Sequence, residues 1–254
     1  MSGTNQTYAL EIHDVTKSFG GVHAVRGVDI SIPAGQRRAL IGPNGAGKTT
    51  LFNLITGELS TDKGRFLLFG KDITSNSVEQ RSRKGLGRTY QTSQLFLELT
   101  VEKNLFLASA PKRGKKISLF KNWEGYSETK ARIREVATQV GLEDHLYIKV
   151  AELSHGLQRQ LEIGMAVALN PSIILLDEPA AGLSPNERVG LKKLLKQLPR
   201  DITMVIIEHD MELVLDIADV MDVLNRGALI VTDTPDNIQA NKEVQEVYLG
   251  SSYV

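Results

Sequence analysis

The 254-residue sequence contains no cysteine and a single tryptophan within an aromatic content of 6%. Without cysteine there is no disulfide, no thiol nucleophile and no cysteine-ligated zinc. An excess of either charge is also missing, because 30 basic residues meet 30 acidic ones. The chain therefore lacks the overall positive footprint of a nucleic-acid binder, and no nucleic-acid partner is expected. Apolar runs are short: those at 165–169 and 173–176 are typical of the longest. A membrane span needs roughly 18 such residues. Residues 1–10 are polar and lack the basic start and apolar middle of a secretory signal, so the expectation is a soluble, cytoplasmic chain. What is present, 41% hydrophobic residues at zero net charge, excludes disorder. At roughly 150 residues per domain the length admits one large α/β domain or two small ones.

Turn residues partition the first part of the chain. The β-rich runs 9–15, 24–32, 37–41 and 65–69 are separated by Gly20-Gly21, Pro33-Ala34-Gly35 and Asp62-Lys63-Gly64, which predicts strands joined by turns. A helix is predicted to start inside the 42–47 loop, bury Leu51, Phe52, Leu54 and Ile55, and stop at Gly57. The middle of the chain looks helical. Its clearest segment, 127–140, spaces Ile133, Val136, Ala137 and Val140 on one helix face, with Ser127 as N-cap, Glu128 in the first turn and Gly141 as the stop. Beyond it, helices at 157–169, 186–198 and 211–218 alternate with strands at 173–176, 203–207 and 220–224, the pattern of a parallel sheet covered by helices. There is no tandem repeat.

Gly42-Pro43-Asn44-Gly45-Ala46-Gly47-Lys48-Thr49 fits G-x-x-x-x-G-K-[ST] and lies between a predicted strand and a predicted helix. Glycines let such a loop turn its backbone N–H groups onto phosphate oxygens, and the helix N-terminus adds partial positive charge. Lys48 is expected to reach the β and γ phosphates and Thr49 to place its hydroxyl on Mg²⁺, with Thr50 completing the binding run. Downstream, the apolar run Ile173-Ile174-Leu175-Leu176 ends in Asp177-Glu178-Pro179. Ligands gather at the C-terminal edge of a parallel sheet, so both carboxylates should emerge beside the phosphates. Asp177 would hold Mg²⁺ directly or through water, and Glu178 would act as general base on the attacking water. The strand 203–207 ends similarly in Glu208-His209-Asp210, where the His209 imidazole would contact a γ-phosphate or that water.

With these components in order, the chain resembles the ATP-binding cassette (ABC) ATPases over nearly its whole length. Leu153-Ser154-His155-Gly156-Leu157 is similar to the family signature, Gln91 to the glutamine that opens the helical insertion, and Phe19 to the aromatic that stacks on adenine. The resemblance implies a single ATPase domain over 8–250. Its P-loop core has a parallel sheet and an N-terminal antiparallel β subdomain, at about 8–90 and 159–250, and a helical subdomain is inserted at about 91–158. It also implies that two cassettes close head to tail on ATP and Mg²⁺. Ser154 and the Gly156 N–H would then contact the γ-phosphate held by the other cassette, Gln91 would link Mg²⁺ to the membrane domains, and His209 would sense the γ-phosphate.

Two positions depart from the family pattern. The signature L-S-G-G-Q has His155 at a glycine and Leu157 at the glutamine, with Gln158 one place late, and the loop after Glu178 reads Ala181-Gly182-Leu183-Ser184 instead of S-A-L-D. The runs Leu161-Glu162-Ile163, Gly87-Arg88-Thr89-Tyr90-Gln91, Glu208-His209-Asp210-Met211 and Val247-Tyr248-Leu249-Gly250 are similar to the ATPases of branched-chain amino acid importers. Urea importers and lipopolysaccharide exporters have similar subunits, and a soluble ABC protein acting on ribosomes or nucleic acid is the reading from a different class. The importer resemblance implies permease subunits in the membrane, a second ATPase subunit, identical or homologous, and indirectly a substrate-binding protein. The subunit would then sit peripherally on the inner face of the membrane. Lys112-Arg113-Gly114-Lys115-Lys116, followed by Leu119, Phe120 and Trp123, reads as a solvated loop or a contact for anionic lipid.

Overall fold

The structure is a computed structural model and describes residues 7–89, 95–109 and 127–250. Gln91 and the basic segment 112–116 with Leu119, Phe120 and Trp123 lie outside the described residues. In chain order the first elements are β1 (Tyr8–Phe19), β2 (Val22–Pro33), β3 (Arg37–Ile41), α1 (Lys48–Thr56), β4 (Lys63–Leu68), β5 (Lys71–Asp72), α2 (Val78–Arg83) and β6 (Leu86–Arg88). Next come α3 (Val101–Ser109), α4 (Ser127–Gln139), α5 (His155–Ala168), β7 (Ile173–Asp177) and α6 (Pro185–Gln197). The chain continues through β8 (Thr203–Ile207), α7 (Met211–Ile217), β9 (Val220–Asn225), β10 (Ala228–Asp233), α8 (Pro235–Ala240) and α9 (Lys242–Gly250).

These elements form two compact units. The first takes the described residues up to Arg88, then Ser172–Glu178, then those from Pro199 onward. It holds a six-stranded sheet in the order β10-β9-β3-β8-β7-β6, parallel except for the edge strand β10, and a four-stranded antiparallel sheet in the order β2-β1-β4-β5. The α/β fold with a parallel sheet and an N-terminal antiparallel sheet is thus the one expected. Every residue of β3, β7 and β8 is buried, as strands covered on both faces require. Register fixes where they end: Leu40 and Asp177 both stand opposite Ile207, so the C-terminal ends of β3, β8 and β7 form one edge.

Behind that edge, Leu51, Phe52, Leu54 and Ile55 of α1 join Leu10, Ile12 and Phe66 in one apolar core. The last carbonyls of α1 are satisfied by a buried cation. Arg81 Nη1 donates to the carbonyls of Leu54 and Ile55, both at 2.6 Å, Nη2 donates to Thr74 O at 2.8 Å, and Nε to Asn76 O at 3.1 Å. Its guanidinium lies 5.4 Å from the Phe66 ring centroid.

The second unit takes Thr89–Pro171 and Pro179–Leu198, where described. Ile133, Val136, Ala137 and Val140 are buried there, as the spacing predicts. A Cβ added at Gly164 would lie 3.1 Å from Val140, 3.4 Å from Leu105 and 3.5 Å from Val136, so α5 meets α3 and α4 where it has no side chain. Among the described residues no helix is long and apolar enough to cross a membrane.

Candidate phosphate-binding and catalytic site

The loop that leaves β3 is wedged between other strands of its unit. A Cβ at Gly42 would sit 2.1 Å from Leu224 O, and one at Gly47 would sit 2.3 Å from Ala24 O. Both also have positive φ, 148° and 100°, so glycine is required twice over. Gly227 N–H donates to Ala46 O at 2.9 Å, tying the β9–β10 turn to the loop. Lys48, the first residue of α1, is buried, and its Nζ donates to Gly42 O at 2.7 Å and Pro43 O at 2.9 Å. An ammonium has three N–H groups, so one remains for a phosphate. Desolvation lowers the Lys48 pKa, while the Glu178 and then the Asp177 charge pull it back up.

An open cleft of 410 Å³ lies over this loop. Its lining takes Asn44, Gly45, Ala46, Gly47, Lys48, Thr49 and Thr50 from the loop and α1, and Glu178 and His209 from the ends of β7 and β8. The remaining wall has no motif in the sequence that marks it: Val22, His23, Ala24 and Arg26 on β2, and Arg226 in the β9–β10 turn. Arg26, Arg226 and Lys48 give the cleft the cations that a polyphosphate requires. Phe19 is not part of this lining. It is half exposed at the end of β1, paired with Val22, and Lys17 Nζ lies 5.7 Å from its ring centroid. Gly42 and Pro43 sit at the base of the loop and are not in the lining.

Asp177 is fully buried, with Arg88 Nη2 3.5 Å from its Oδ2. The same Arg88 pairs with Glu58 at 2.7 Å and lies 5.6 Å from the Phe52 ring centroid, so it is anchored on α1. Glu178 has φ 45°, a left-handed conformation uncommon for glutamate, and its N–H donates to Ile207 O at 2.9 Å. Its Oε1 lies 2.6 Å from His209 Nε2. The backbone N–H of His209 donates to the side-chain Oε2 of the buried Glu208 at 2.9 Å. Thr49 and Asp177 offer hydroxyl and carboxylate oxygens, the hard donors that Mg²⁺ selects, so the donor set fits that ion.

The signature residues belong to the second unit. Ser154 is the N-cap of α5, its Oγ accepting from Leu157 N–H at 3.3 Å. Gly156 N–H donates to Glu187 Oε1 at 2.7 Å. His155 is exposed and lies against Gly182, whose added Cβ would be 3.1 Å from the ring Cε1. Ser184, at the position where an aspartate is usual, is the N-cap of α6.

Residues 25–181 match the ABC transporter family profile. The chain is 38% identical over 251 residues to BraF, a high-affinity branched-chain amino acid transport ATP-binding protein of Pseudomonas aeruginosa, covering 96% of this chain and 98% of BraF. It is 37% identical over 250 residues to LivG of Escherichia coli, which carries the same description, covering 96% and 98%. The ADP conformation of an ATP-binding cassette of an ABC transporter superposes with a TM-score of 0.85 at 32% identity, covering 96% of this chain and 99% of that one. With a phosphate loop, two strand-end carboxylates and a strand-end histidine on one sheet edge, the chain belongs to the ABC transporter family as one of its ATP-binding cassettes, an ATPase.

Proposed function

We propose that this cassette is the subunit whose ATP hydrolysis powers a membrane importer of branched-chain amino acids, acting on the inner face of the membrane with permease subunits and a second ATPase subunit. The near full-length likeness to BraF supports the substrate class, because it extends beyond the family-matched 25–181. The observation that carries the chemistry is the 2.6 Å pair of Glu178 and His209 at the wall of the phosphate-loop cleft.

In this reading the loop N–H groups and the remaining Lys48 N–H hold the β and γ phosphates, and Phe19, paired with the lining residue Val22, stacks on adenine. Thr49 and Asp177, with Gln91, hold Mg²⁺, which when bound supplies neutralisation of phosphate charge. Glu178 accepts a proton from water as its oxygen bonds to the γ phosphorus, and the bond to the ADP oxygen breaks. His209 holds the Glu178 carboxylate toward that water and contacts the γ-phosphate. Ser154 and the Gly156 N–H receive the γ-phosphate bound to a second cassette, so ATP holds the pair closed and hydrolysis releases it.

The test is to isolate the chain with its membrane subunits and reconstitute the complex in liposomes with ATP on the cassette side. Uptake of labelled leucine, isoleucine and valine that stops without ATP is the expected result. ATP turnover with no uptake of any of the three contradicts the substrate assignment.

A further inference from the structure

The first turn of α5 holds an anion of its own. Gly156 is its second helical residue, and the N–H there has no partner within the helix. That N–H donates to Glu187 Oε1 at 2.7 Å, while Oε2 of the same carboxylate accepts from the Ser184 N–H at 3.0 Å and the Ser184 hydroxyl at 2.7 Å. These bonds, led by those from Ser184 and followed by the one from Gly156 and a smaller one from the Ser154 hydroxyl, hold the Glu187 carboxyl down at about 2. A full negative charge therefore occupies this end of α5 at neutral pH. The approach depends on glycine, since a Cβ at 156 would lie 2.7 Å from Glu187 Cγ and 2.8 Å from Oε1.

A backbone N–H has one hydrogen to give. A phosphate oxygen and the Glu187 carboxylate both need it, and two anions on one donor repel. We propose that Glu187 is a competing anion which occupies the Gly156 N–H until the γ-phosphate of a second cassette displaces it, and so raises the ATP concentration at which two cassettes close. This rests on the reading above, in which Ser154 and Gly156 receive that phosphate. Glu187 acts through Gly156 and is a positioning residue. Its second attachment, to Ser184, gives the displaced carboxylate somewhere to stay: it can keep capping α6 through Oε2 while Oε1 swings away.

Two substitutions separate this role from helix capping. Glu187→Gln keeps an oxygen for the Ser184 N–H but loses the charge. Glu187→Asp keeps charge and cap but is one methylene too short to hold Ser184 and Gly156 together. Both are made in the full chain carrying Glu178→Gln, so that ATP is bound and not consumed. ATP is titrated with Mg²⁺, alone or with the second ATPase subunit of the complex, and pairing is followed by light scattering alongside a thermal melt. A charge-assisted hydrogen bond no longer exchanged should lower the ATP midpoint for pairing about tenfold in both variants. A capping role alone would lower the melting temperature and leave the midpoint in place. Unchanged or higher midpoints, in a background that pairs normally, overturn the competing-anion role. If the Glu178→Gln background itself never pairs on ATP, it is the reading of Ser154 and Gly156 that fails, and Glu187 has nothing to compete with.

Discussion

His209 Nε2 and Glu178 Oε1 are 2.6 Å apart, although the two residues are separated by 31 positions in sequence. They meet because Asp177 and Ile207 are in register on adjacent strands, so each strand delivers its next residues to the same edge. Glu178 is held there in a left-handed backbone conformation that costs about 1–3 kcal/mol for a non-glycine residue. The Ile207 carbonyl fixes it through the Glu178 N–H. The carboxylate is thus aimed before any water or phosphate arrives.

Replacing His209 by alanine removes the group that aims Glu178. Phosphate release should fall about 100-fold, with ATP affinity changed far less. A His209→Ala protein that turns over at the wild-type rate would take the histidine out of the mechanism.

Lys48→Ala leaves the loop carbonyls of Gly42 and Pro43 without their donor and, in the proposed reading, the phosphates without their cation. ATP binding, measured by calorimetry, should be lost or weakened by at least about 2 kcal/mol, and hydrolysis should disappear. Normal turnover would remove the phosphate-loop assignment.

Arg81 makes a structural prediction. Arg81→Met keeps the stem but strips the donors from four carbonyls, two at the end of α1 and two in the segment between β5 and α2. Several buried acceptors left unsatisfied should cost about 3 kcal/mol, lowering the melting temperature by roughly 6–12 °C. An unchanged melt would show that water replaces the guanidinium.

His155→Gly tests the departure in the signature. The ring leans on Gly182 and not on the N–H of Gly156, so turnover should stay within about threefold while the first turn of α5 loses only about 0.3 kcal/mol of helix propensity. A tenfold gain in turnover would make the histidine a brake.

Much of the site could be read from the sequence because its parts are local. The phosphate loop is contiguous, and Asp177 and Glu178 close an apolar run whose direction is set by the parallel sheet. Glu58 and Arg88 carry no such local signal, and their contact with each other exists only because Arg88, at the end of β6, packs against the C-terminal end of α1. The β2 wall carries no local signal either: the β-rich run 24–32 takes in Ala24 and Arg26 and leaves out Val22 and His23, and only the packing of β2 against the loop makes all four cleft lining. Arg81, in the run Arg81-Ser82-Arg83-Lys84, looks like a solvated cation; it is buried because α1 ends where its carbonyls need donors. Glu187 caps α6 together with Ser184, whereas its part as acceptor for a helix starting 32 residues earlier has no local signal.

The measurement that bears most directly on the account is ATP turnover and mass of the full chain carrying Glu178→Gln, with its second ATPase subunit present where the complex has one. With the general base gone and the phosphate loop intact, ATP should bind with near wild-type affinity, phosphate release should drop at least about 100-fold, and light scattering should report a stable pair of cassettes that separates when ATP is removed. Wild-type phosphate release from that protein would contradict the central claim that Glu178 is the base.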